Sequence, residues 1–382
     1  MSTTYRLRAL DKLFIKDGRP LSLEDDSAAS GLFPPPPSVL YGALRSAVLA
    51  QAGAAPGSQQ DPVHGGLLTG IAFSKSTDDQ NHQLYFPAPN DLVRQKTKDE
   101  EERRQLPAYR LLLTSTDEAA LTNYPVTGGQ LLQSTLRQPV TSVQGYVSAR
   151  GLADYLNHRE VKAVDILDAS TLYQAEPKLG IGLDYDSGTT KHGLLYTMAM
   201  QRLCDGITLC VRTKDFGPLT PLLRLGAESR AAEVIEAPRT EWPSAVLPDN
   251  DRFTLYLSTP AVFKQGWLPD FLDAKFMSGT IGGAEVRLLA ASVGASLPLG
   301  GWDIAARRPK PMRRAVNAGA VYHFAITNGE LQPDIIHNHP LMTAYAHSGL
   351  REGTNELTYQ QQGFGIAYLG QGPQDHTLSN IS

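Results

Sequence analysis

The stretch that decides the fold begins with four prolines and reads Pro34-Pro35-Pro36-Pro37-Ser38-Val39-Leu40-Tyr41-Gly42-Ala43-Leu44-Arg45. Ser38 is a residue type favoured at the N-cap of a helix. Apolar side chains then recur at helical spacing, at Val39, Leu40, Ala43, Leu44, Ala47 and Val48. This pattern predicts a helix from about residue 38 to residue 51.

The segments on either side of this helix predict strands. Residues 4–10 alternate polar and apolar side chains, as in a half-buried strand. Short strands are also predicted around Ile71 and Phe73 and at residues 84–86, where two following prolines end the strand. Residues 94–104 mix acidic and basic groups, which predicts a solvated helix or a loop, and a short helix is expected near residues 151–158.

Residues 193–235 complete the pattern of the first half. Two apolar runs, 194–200 and 207–211, flank Asp205-Gly206, which predicts a β-hairpin. Residues 218–225 predict a short helix that Gly226 ends, and residues 231–235 predict a last strand. The order strand, helix, strand pair, helix, strand is the β-α-β-β-α-β pattern of a ferredoxin-like domain.

The second half repeats the strand character of the first. Residues 237–250 hold three prolines and predict a linker. Strand patterns follow at 253–257, 286–291, 321–326 and 363–370. The expected architecture is α+β, with two ferredoxin-like (RRM-like) domains and long loop insertions: 1–245, with an insertion at about 94–180, and 246–382.

Composition limits the classes of function. The chain has 382 residues, a formal net charge of −4 and 19% charged residues, so any nucleic-acid binding must come from local basic patches. Its two cysteines cannot form a disulfide framework. No signal peptide or membrane-spanning run is recognisable, which predicts a cytoplasmic protein without a membrane partner.

A search for catalytic and metal-binding motifs favours a protein that is not an enzyme. The sequence contains no H-E-x-x-H, C-x-x-C, G-x-S-x-G or P-loop pattern, and neither a metal nor a cofactor nor a small-molecule substrate is expected. The pair His337 and His339 lies in a loop before a proline. One catalytic alternative stays open, a metal-independent ribonuclease in which Tyr41, Lys191 and His192 act on a ribose hydroxyl.

Basic groups indicate where RNA could bind. Residues 302–314 hold five basic side chains and one acid, enough to neutralise several phosphates locally. Isolated cations beside glycines, prolines or turns extend this set. The predicted phosphate and backbone contacts are Lys16, Arg19, Arg45, Arg137, Arg150, Lys178, Lys191, His192, Arg230, Arg307, Arg308, Lys310, Arg313 and Arg314.

Aromatic and glycine residues complete the candidate site. Tyr41, Trp302 and Phe364 are candidates for stacking on unpaired bases. Gly226 and the pair Gly363 and Gly365 precede the last strand of each predicted domain, where glycine would let the backbone approach a ligand closely.

An ordered set of motifs resembles one RAMP family, the Cmr subunit of type III-B CRISPR effector complexes that binds the 5′ tag of the guide RNA. The resemblance spans nearly the whole chain. Its motifs are 17–20 (Asp-Gly-Arg-Pro), 35–45, 85–92, 180–184, 225–230 (Leu-Gly-Ala-Glu-Ser-Arg), 259–263, 300–303 (Gly-Gly-Trp-Asp), 309–311, 315–319 and 363–365 (Gly-Phe-Gly). Ala227 departs from the pattern, because the family often has a second glycine there.

The resemblance implies a specific role. Such a subunit would hold the repeat-derived 5′ tag of the guide RNA and contact two proteins, the large polymerase-like subunit and the adjacent backbone RAMP subunit. Cleavage of RNA and DNA would belong to those neighbours. Two alternatives remain: a guide-processing endoribonuclease of the RAMP class that uses His192, and a structural adaptor that does not touch RNA.

Overall fold

The computed structural model describes residues 2–17, 28–29, 31–54, 63, 65–77, 81–115, 130–183, 189–303, 308–337, 339–340 and 358–374. Its described α-helices are α1 Pro37–Ala52, α2 Glu100–Gln105, α3 Ala149–Leu156 and α4 Pro333–Ile336. Among the described residues, Ala163–Asp165 and Ala169–Thr171 form 3-10 helices. None of the helices in these ranges is long and apolar enough to cross a bilayer.

Most of the regular structure is β-strand. The first half contains β1 Ser2–Ala9, β2 Ala28–Ala29, β3 Leu67–Ser76, β4 His82–Pro87, β5 Leu92–Gln95, β6 Tyr109–Arg110, β7 Leu112–Ser115, β8 Gln130–Gln133, β9 Val140–Ser142, β10 Tyr146–Ser148, β11 Ile166–Leu167, β12 Tyr173–Ala175, β13 Lys178–Leu183, β14 Thr190–Met198, β15 Gln201–Leu203, β16 Ile207–Lys214, β17 Leu222–Arg224 and β18 Ala231–Glu236. The second half contains β19 Arg252–Leu257, β20 Leu272–Asp273, β21 Ser278–Ile281, β22 Ala284–Ser292, β23 Leu297–Leu299, β24 Trp302–Asp303, β25 Arg308–Pro309, β26 Arg313–Ala315, β27 Val321–Asn328, β28 His339–Pro340 and β29 Ile366–Gln371.

A large antiparallel sheet organises the first half. Its strand order is β11-β10-β4-β3-β16-β1-β18-β17. The predicted strands at 4–10, 71–73, 84–86 and 231–235 all lie in this sheet. Helix α1 packs on one face, where its side chains Leu40 and Leu44 join Leu7 and Leu209 of the sheet in a shared core. The amphipathic pattern of residues 38–51 is therefore explained by burial of this helix face.

A second antiparallel sheet, with order β20-β21-β22-β27-β19-β29-β28, organises the second half. Its central order β22-β27-β19-β29 corresponds to β3-β16-β1-β18 of the first sheet, strand for strand in chain order. Across residues 258–283, all of which the structure describes, no α-helix follows β19. The chain is thus mostly antiparallel β-sheet with a few packed helices, which is compatible with the predicted α+β class.

Three local predictions are wrong. Helix α1 begins at Pro37, and Pro36 rather than Ser38 occupies the N-cap position, without a side-chain hydrogen bond. Proline is pre-organised for the first helical position, so Ser38 falls inside the first turn.

The predicted hairpin of 194–200 with 207–211 does not form. Instead β14 pairs with β13, and β16 lies between β1 and β3, because its residues 207–211 are all buried and need a central position.

The predicted helix at 218–225 is also absent. Residues Leu222–Arg224 form strand β17, which pairs with β18. The connecting turn places Glu228 and Ser229 at φ values of 55° and 53°. Two successive residues with positive φ close a tight hairpin whose twist matches that of the strands. The prolines at 218 and 221 favour this extended path over a helix.

The two sheets pack on each other through aromatic side chains. Phe86 of the first sheet contacts Tyr368 of the second in a T-shaped pair with ring centroids 5.5 Å apart. The Tyr256 hydroxyl donates a 2.6 Å hydrogen bond to the carbonyl of Pro87. Both tyrosines are fully buried. This contact holds the two halves of the chain in a defined relative position.

A buried polar network strengthens the same interface. Asp91 Oδ2 lies 3.3 Å from Arg110 Nε and 3.2 Å from His323 Nε2, and Asp91 Oδ1 accepts a 2.6 Å hydrogen bond from Tyr155. Burial raises the pKa of Asp91, but His323 and Arg110 outweigh burial and hold that pKa below its ordinary value. Burial lowers the pKa of His323. The network therefore holds an Asp91–Arg110 ion pair beside a neutral imidazole.

Candidate nucleic-acid interface

A groove forms where the N-terminus of α1 meets residues 299–302 and 310–311. Its volume is about 150 Å³, and Lys16, Ser38, Trp302, Lys310 and Tyr359 are among its lining residues. Two of these side chains are cationic, and the N-terminus of a helix carries a partial positive charge. Among the described residues that line the groove none is acidic. The groove is therefore suited to an anionic ligand.

The hairpin beside the groove presents an aromatic ring and further cations. Strand β24 pairs with β25, so that Trp302 lies opposite Pro309. The Trp302 side chain is 58% exposed, which is unusual for a large apolar ring. Arg308 is also exposed on this hairpin, and Arg314 is exposed on β26, the partner of β23. This arrangement combines phosphate-binding charges with a surface for base stacking.

A larger cavity adjoins the groove. It has a volume of about 470 Å³ and lies between the proline run and the face of the first sheet. Leu32 and Pro36 line both the cavity and the groove. The aromatic rings in the cavity wall are Phe33, Phe73, Tyr85, Tyr146 and Tyr173. Sequence reasoning missed this cluster, because its members come from separate segments and share no local motif.

The rings at the cavity mouth are only half-buried. Phe33 and Tyr173 lie with ring centroids 4.6 Å apart, and both keep part of their surface exposed. Behind them, the Phe73 ring stacks on Tyr173 at 5.7 Å with an interplanar angle of 23°. A flat ligand can therefore meet aromatic surface that is already held in place.

Two predicted phosphate contacts instead belong to an ion-pair network. Lys178 Nζ lies 3.1 Å from Glu228 Oε2, and Arg230 Nη2 lies 3.1 Å from the same oxygen. Arg230 also contacts Asp11. The hydrogen bond from Lys178 is the main cause that holds the pKa of Glu228 below its ordinary value. Phosphate binding by Lys178 or Arg230 would have to compete with these carboxylates.

The network continues through Glu176. Its carboxylate pairs with Arg202 and accepts a 2.9 Å hydrogen bond from Lys12 Nζ. The hydrogen bond from Arg202, followed by that from Lys12, lowers the pKa of Glu176 to about 2. Arg202 also lies 3.3 Å from Asp11. These charged groups neutralise one another across four segments of the chain.

Other predicted cations are distributed over the surface. The guanidinium of Arg150 lies 3.0 Å from Asp165, whose side chain is 1% exposed, so Arg150 satisfies a buried carboxylate. Arg45 is half-buried on α1, Arg137 is exposed in the 134–139 loop, and Arg313 is half-buried on β26. None of these four side chains lines the groove described above.

The structure does not describe the side chains of four predicted RNA-binding residues. Arg19 and Arg307 lie outside the described residues. Lys191 and His192 belong to strand β14, but the description does not extend to their side chains. Their predicted RNA contacts remain predictions.

Tyr41 and Phe364, two of the three predicted stacking residues, are both buried. Tyr41 is 1% exposed, and its hydroxyl donates a 3.1 Å hydrogen bond to the Gly66 carbonyl. Phe364 is completely buried against Tyr359. Neither ring has an open face for a base.

The glycine turns contact the protein itself. A Cβ atom on Gly226 would lie 2.7 Å from the carbonyl oxygen of Phe14, and one on Gly363 would lie 2.8 Å from Leu68 Cβ. Both glycines have positive φ. Gly363 and Gly365 are buried, and the approach of this turn to RNA stays a prediction. Turn geometry and internal packing therefore require glycine at positions 226 and 363.

A metal centre is not found among the described residues, where no three His, Cys, Asp or Glu side chains cluster. Both ring nitrogens of His337 are used internally. Nε2 lies 2.9 Å from the Pro243 carbonyl, and Nδ1 accepts a 3.2 Å hydrogen bond from the Leu369 amide. His337 thus fastens the linker region to strand β29.

Comparison with known proteins identifies the family. The model of the CRISPR-associated protein family Cas_Cmr3 matches residues 5–371. The chain therefore belongs to the Cas_Cmr3 family of CRISPR-associated proteins, which confirms the resemblance that the ordered motifs indicated. No curated protein matched the chain.

Solved structures show similarity at low identity, as three examples illustrate. A chain in a cryo-EM structure of the Type III-B Cmr-beta bound to cognate target RNA is 15% identical over 84% of this chain and 86% of that chain, with a TM-score of 0.46. A chain in a Csm3-Csm4 subcomplex of the type III-A CRISPR-Cas interference complex is 9% identical over 87% and 96%, with a TM-score of 0.32. A chain in a Csm1-Csm4 cassette in complex with AMPPNP is 11% identical over 99% and 100%, with a TM-score of 0.34.

Proposed function

We propose that this chain is a non-catalytic, RNA-binding subunit of a type III-B CRISPR effector complex that holds the 5′ tag of the guide RNA. Membership of the Cas_Cmr3 family supports the assignment to a CRISPR complex. One structural observation carries the RNA-binding part: Lys16, Lys310, Trp302 and the N-terminus of α1 meet in one groove. Cations for phosphates and an exposed ring for bases are what single-stranded RNA requires.

The groove joins residues from both halves of the chain. Lys16 and Ser38 come from the first half, and Trp302 and Lys310 come from the second. Its geometry therefore depends on the interface between the sheets, which aromatic packing and the Asp91–Arg110 pair stabilise. A groove built this way presents its charges at fixed positions, so less ordering entropy is lost when RNA binds.

The proposal assigns catalysis to neighbouring subunits. Tyr41, one member of the ribonuclease constellation considered from the sequence, is buried and bonded to a backbone carbonyl. No other observation favours an RNA-cleaving site over a binding site. The proposed partners are the large polymerase-like subunit and the adjacent backbone RAMP subunit, within the cytoplasm.

The fold proposal follows from the repeated strand order. In each half the four central strands lie in the order fourth, first, third, second along the chain. We propose that each half is a ferredoxin-like unit in which loops or short strands replace most of the helices. On this proposal only α1 remains as a full helix between the first two strands of a unit.

Reconstitution of the complex tests the proposed function. The effector complex would be assembled with and without this chain, and the guide RNA would be probed by ribonuclease from its 5′ end. The proposal predicts that the 5′ tag is protected only when the chain is present. Equal protection of the tag without the chain would refute the tag-binding role. Metal-independent cleavage of repeat RNA by the purified chain would favour the endoribonuclease alternative.

A further inference from the structure

The cavity of about 470 Å³ beside the groove is not used by the phosphate-binding role. Its volume lies within the range of roughly 300–1,000 Å³ that is typical of small-molecule sites. The wall on one side is the proline run, whose backbone torsions are restricted, and the opposite wall is the first sheet. The cavity is therefore largely pre-formed.

We propose that this cavity binds one unpaired nucleobase of the RNA that lies in the groove, flipped out of the path of the strand and stacked on Tyr173 beside Phe33. The inference rests on the proposed RNA-binding function and adds to it a base-binding subsite. Binding of one base in this subsite would fix the position of the RNA on the chain at one defined nucleotide.

Aromatic geometry supports a base as the occupant. Tyr173 and Phe33 are half-buried with ring centroids 4.6 Å apart and an interplanar angle of 59°, so a flat base can stack on only one of them. Phe73 stacks on Tyr173 and supports it. Every nucleobase has a flat π-face, so stacking on such rings needs no particular base. Because Phe73 packs on Tyr173, that ring is held in place before a base arrives.

The cavity wall also contains groups that can meet the edge of a base. Gln144 and Asn317, both exposed, contribute carboxamides, which can donate and accept hydrogen bonds. Gln144 precedes strand β10, and Asn317 follows strand β26. The amides come from different halves of the chain and can read an edge from two directions. This arrangement gives the cavity the capacity for base preference.

Proximity to the groove favours RNA over an unrelated small molecule. Leu32 and Pro36 line both spaces, so the groove and the cavity are adjacent. Lys16 and Lys310 lie on the groove side of these two residues. An RNA strand with its phosphates on the lysines can therefore place a neighbouring base in the cavity without leaving the groove.

Abasic scanning tests the base-binding subsite. A synthetic single-stranded RNA with the 5′ sequence of the guide would carry one abasic site at each position in turn, and its affinity for the full-length chain would be measured by fluorescence anisotropy. For the unsubstituted chain, one position should weaken binding about tenfold. Tyr173→Ala should weaken binding of intact RNA by a similar factor and should lose the sensitivity to that one position.

Matched variants guard against a general loss of structure. Tyr173→Phe keeps the ring and should retain the pattern of the unsubstituted chain. Gln144→Ala, at an exposed position, should keep the fold and change which base is preferred at the sensitive position. A 2-aminopurine at that position should be quenched by the unsubstituted chain and brighter with Tyr173→Ala.

The outcomes separate this inference from the function on which it rests. Binding that depends on Lys310 but shows no coupling between Tyr173 and any abasic position would overturn the base-binding subsite alone. Binding that is independent of Lys16 and Lys310 would refute the groove as well. A Tyr173→Ala variant that binds RNA normally but fails to assemble with its protein neighbours would show that the cavity accepts a protein side chain instead.

Discussion

Two regions of the molecule contain predicted RNA contacts, and their cations have different surroundings. In the groove, Lys16 and Lys310 accompany an exposed tryptophan and the N-terminus of α1, and none of the described lining residues is acidic. In the ion-pair network, Lys178 and Arg230 each lie within 3.2 Å of a Glu228 oxygen. A phosphate in the groove meets two lysines and the N-terminus of a helix, whereas a phosphate at the network competes with the Glu228 carboxylate.

This difference shows that a basic residue indicates an RNA-binding site only when the residues around it are also considered. With a formal net charge of −4, an anion should bind where cations are concentrated locally. Exposed ion pairs add little stability, but they do cancel local charge. The groove is the better candidate because charge, aromatic surface and helix terminus coincide there.

Removal of both groove lysines should have the largest effect on RNA binding. The double variant Lys16→Ala/Lys310→Ala should weaken binding of single-stranded RNA on the order of a hundredfold at low salt. The slope of log affinity against log salt should fall by about 1.4, as expected for two lost phosphate contacts on a single strand. Titrations at several salt concentrations measure both quantities.

The matched control for this experiment lies in the network. Lys178→Ala removes a cation whose charge Glu228 already balances. Its RNA affinity should stay within about twofold of the unsubstituted chain. An equal loss in Lys178→Ala and in the groove variant would break the distinction between the two regions.

Truncation of the exposed ring should have the next largest effect. Trp302→Ala should weaken RNA binding about tenfold, which is the range for loss of one stacked base. Trp302→Phe should recover most of that loss. Because no charge changes, the salt slope should remain that of the unsubstituted chain, and a changed slope would contradict a stacking role.

Release of a network cation should have a small effect. Glu228→Gln removes the carboxylate that pairs with Lys178 and leaves Arg230 with Asp11. RNA affinity should rise by no more than about threefold, because one exposed cation without an aromatic surface adds little. A gain of tenfold or more in a salt titration would show that the network is a masked RNA site.

The smallest expected effect is the pH dependence of the stability that the ion-pair network contributes. Because the pKa of Glu176 is lowered to about 2, its contribution to stability is present above the unfolded-state pKa and is lost as pH falls through the folded-state pKa. The difference in melting temperature between the unsubstituted chain and Glu176→Gln should be constant above about pH 4.5. It should shrink towards zero as the pH falls from there to about 2. A difference that vanishes near pH 6 would contradict the pairing.

Local patterns predicted the elements that local interactions determine. The apolar spacing of residues 38–51 gave helix α1, and the alternation in residues 253–257 gave strand β19. The hairpin predicted around Asp205-Gly206 failed, because burial on both faces draws β16 to the centre of the sheet. Because β16 lies at the centre of the first sheet, β14 pairs with β13 instead. No local sequence pattern indicated that pairing.

The candidate site was predictable only in part. Trp302 and Lys310 lie in one basic segment, and their types indicated RNA binding. Lys16 joins them through the tertiary fold. The aromatic cavity was missed because Phe33 and Tyr173 meet only after folding. The burial of Phe364 could not be predicted from the sequence either, because an aromatic residue between two glycines is compatible with both a binding turn and a packed turn.

Site-specific photo-crosslinking tests the central claim most directly. The crosslinking amino acid p-benzoylphenylalanine would replace Trp302 in the groove or Ser229 at the exposed turn of the network, and each chain would be assembled with its guide RNA. The account predicts a crosslink from position 302 to the 5′ tag and little or none from position 229. Crosslinks from position 229 alone would contradict the groove as the place where this protein holds RNA.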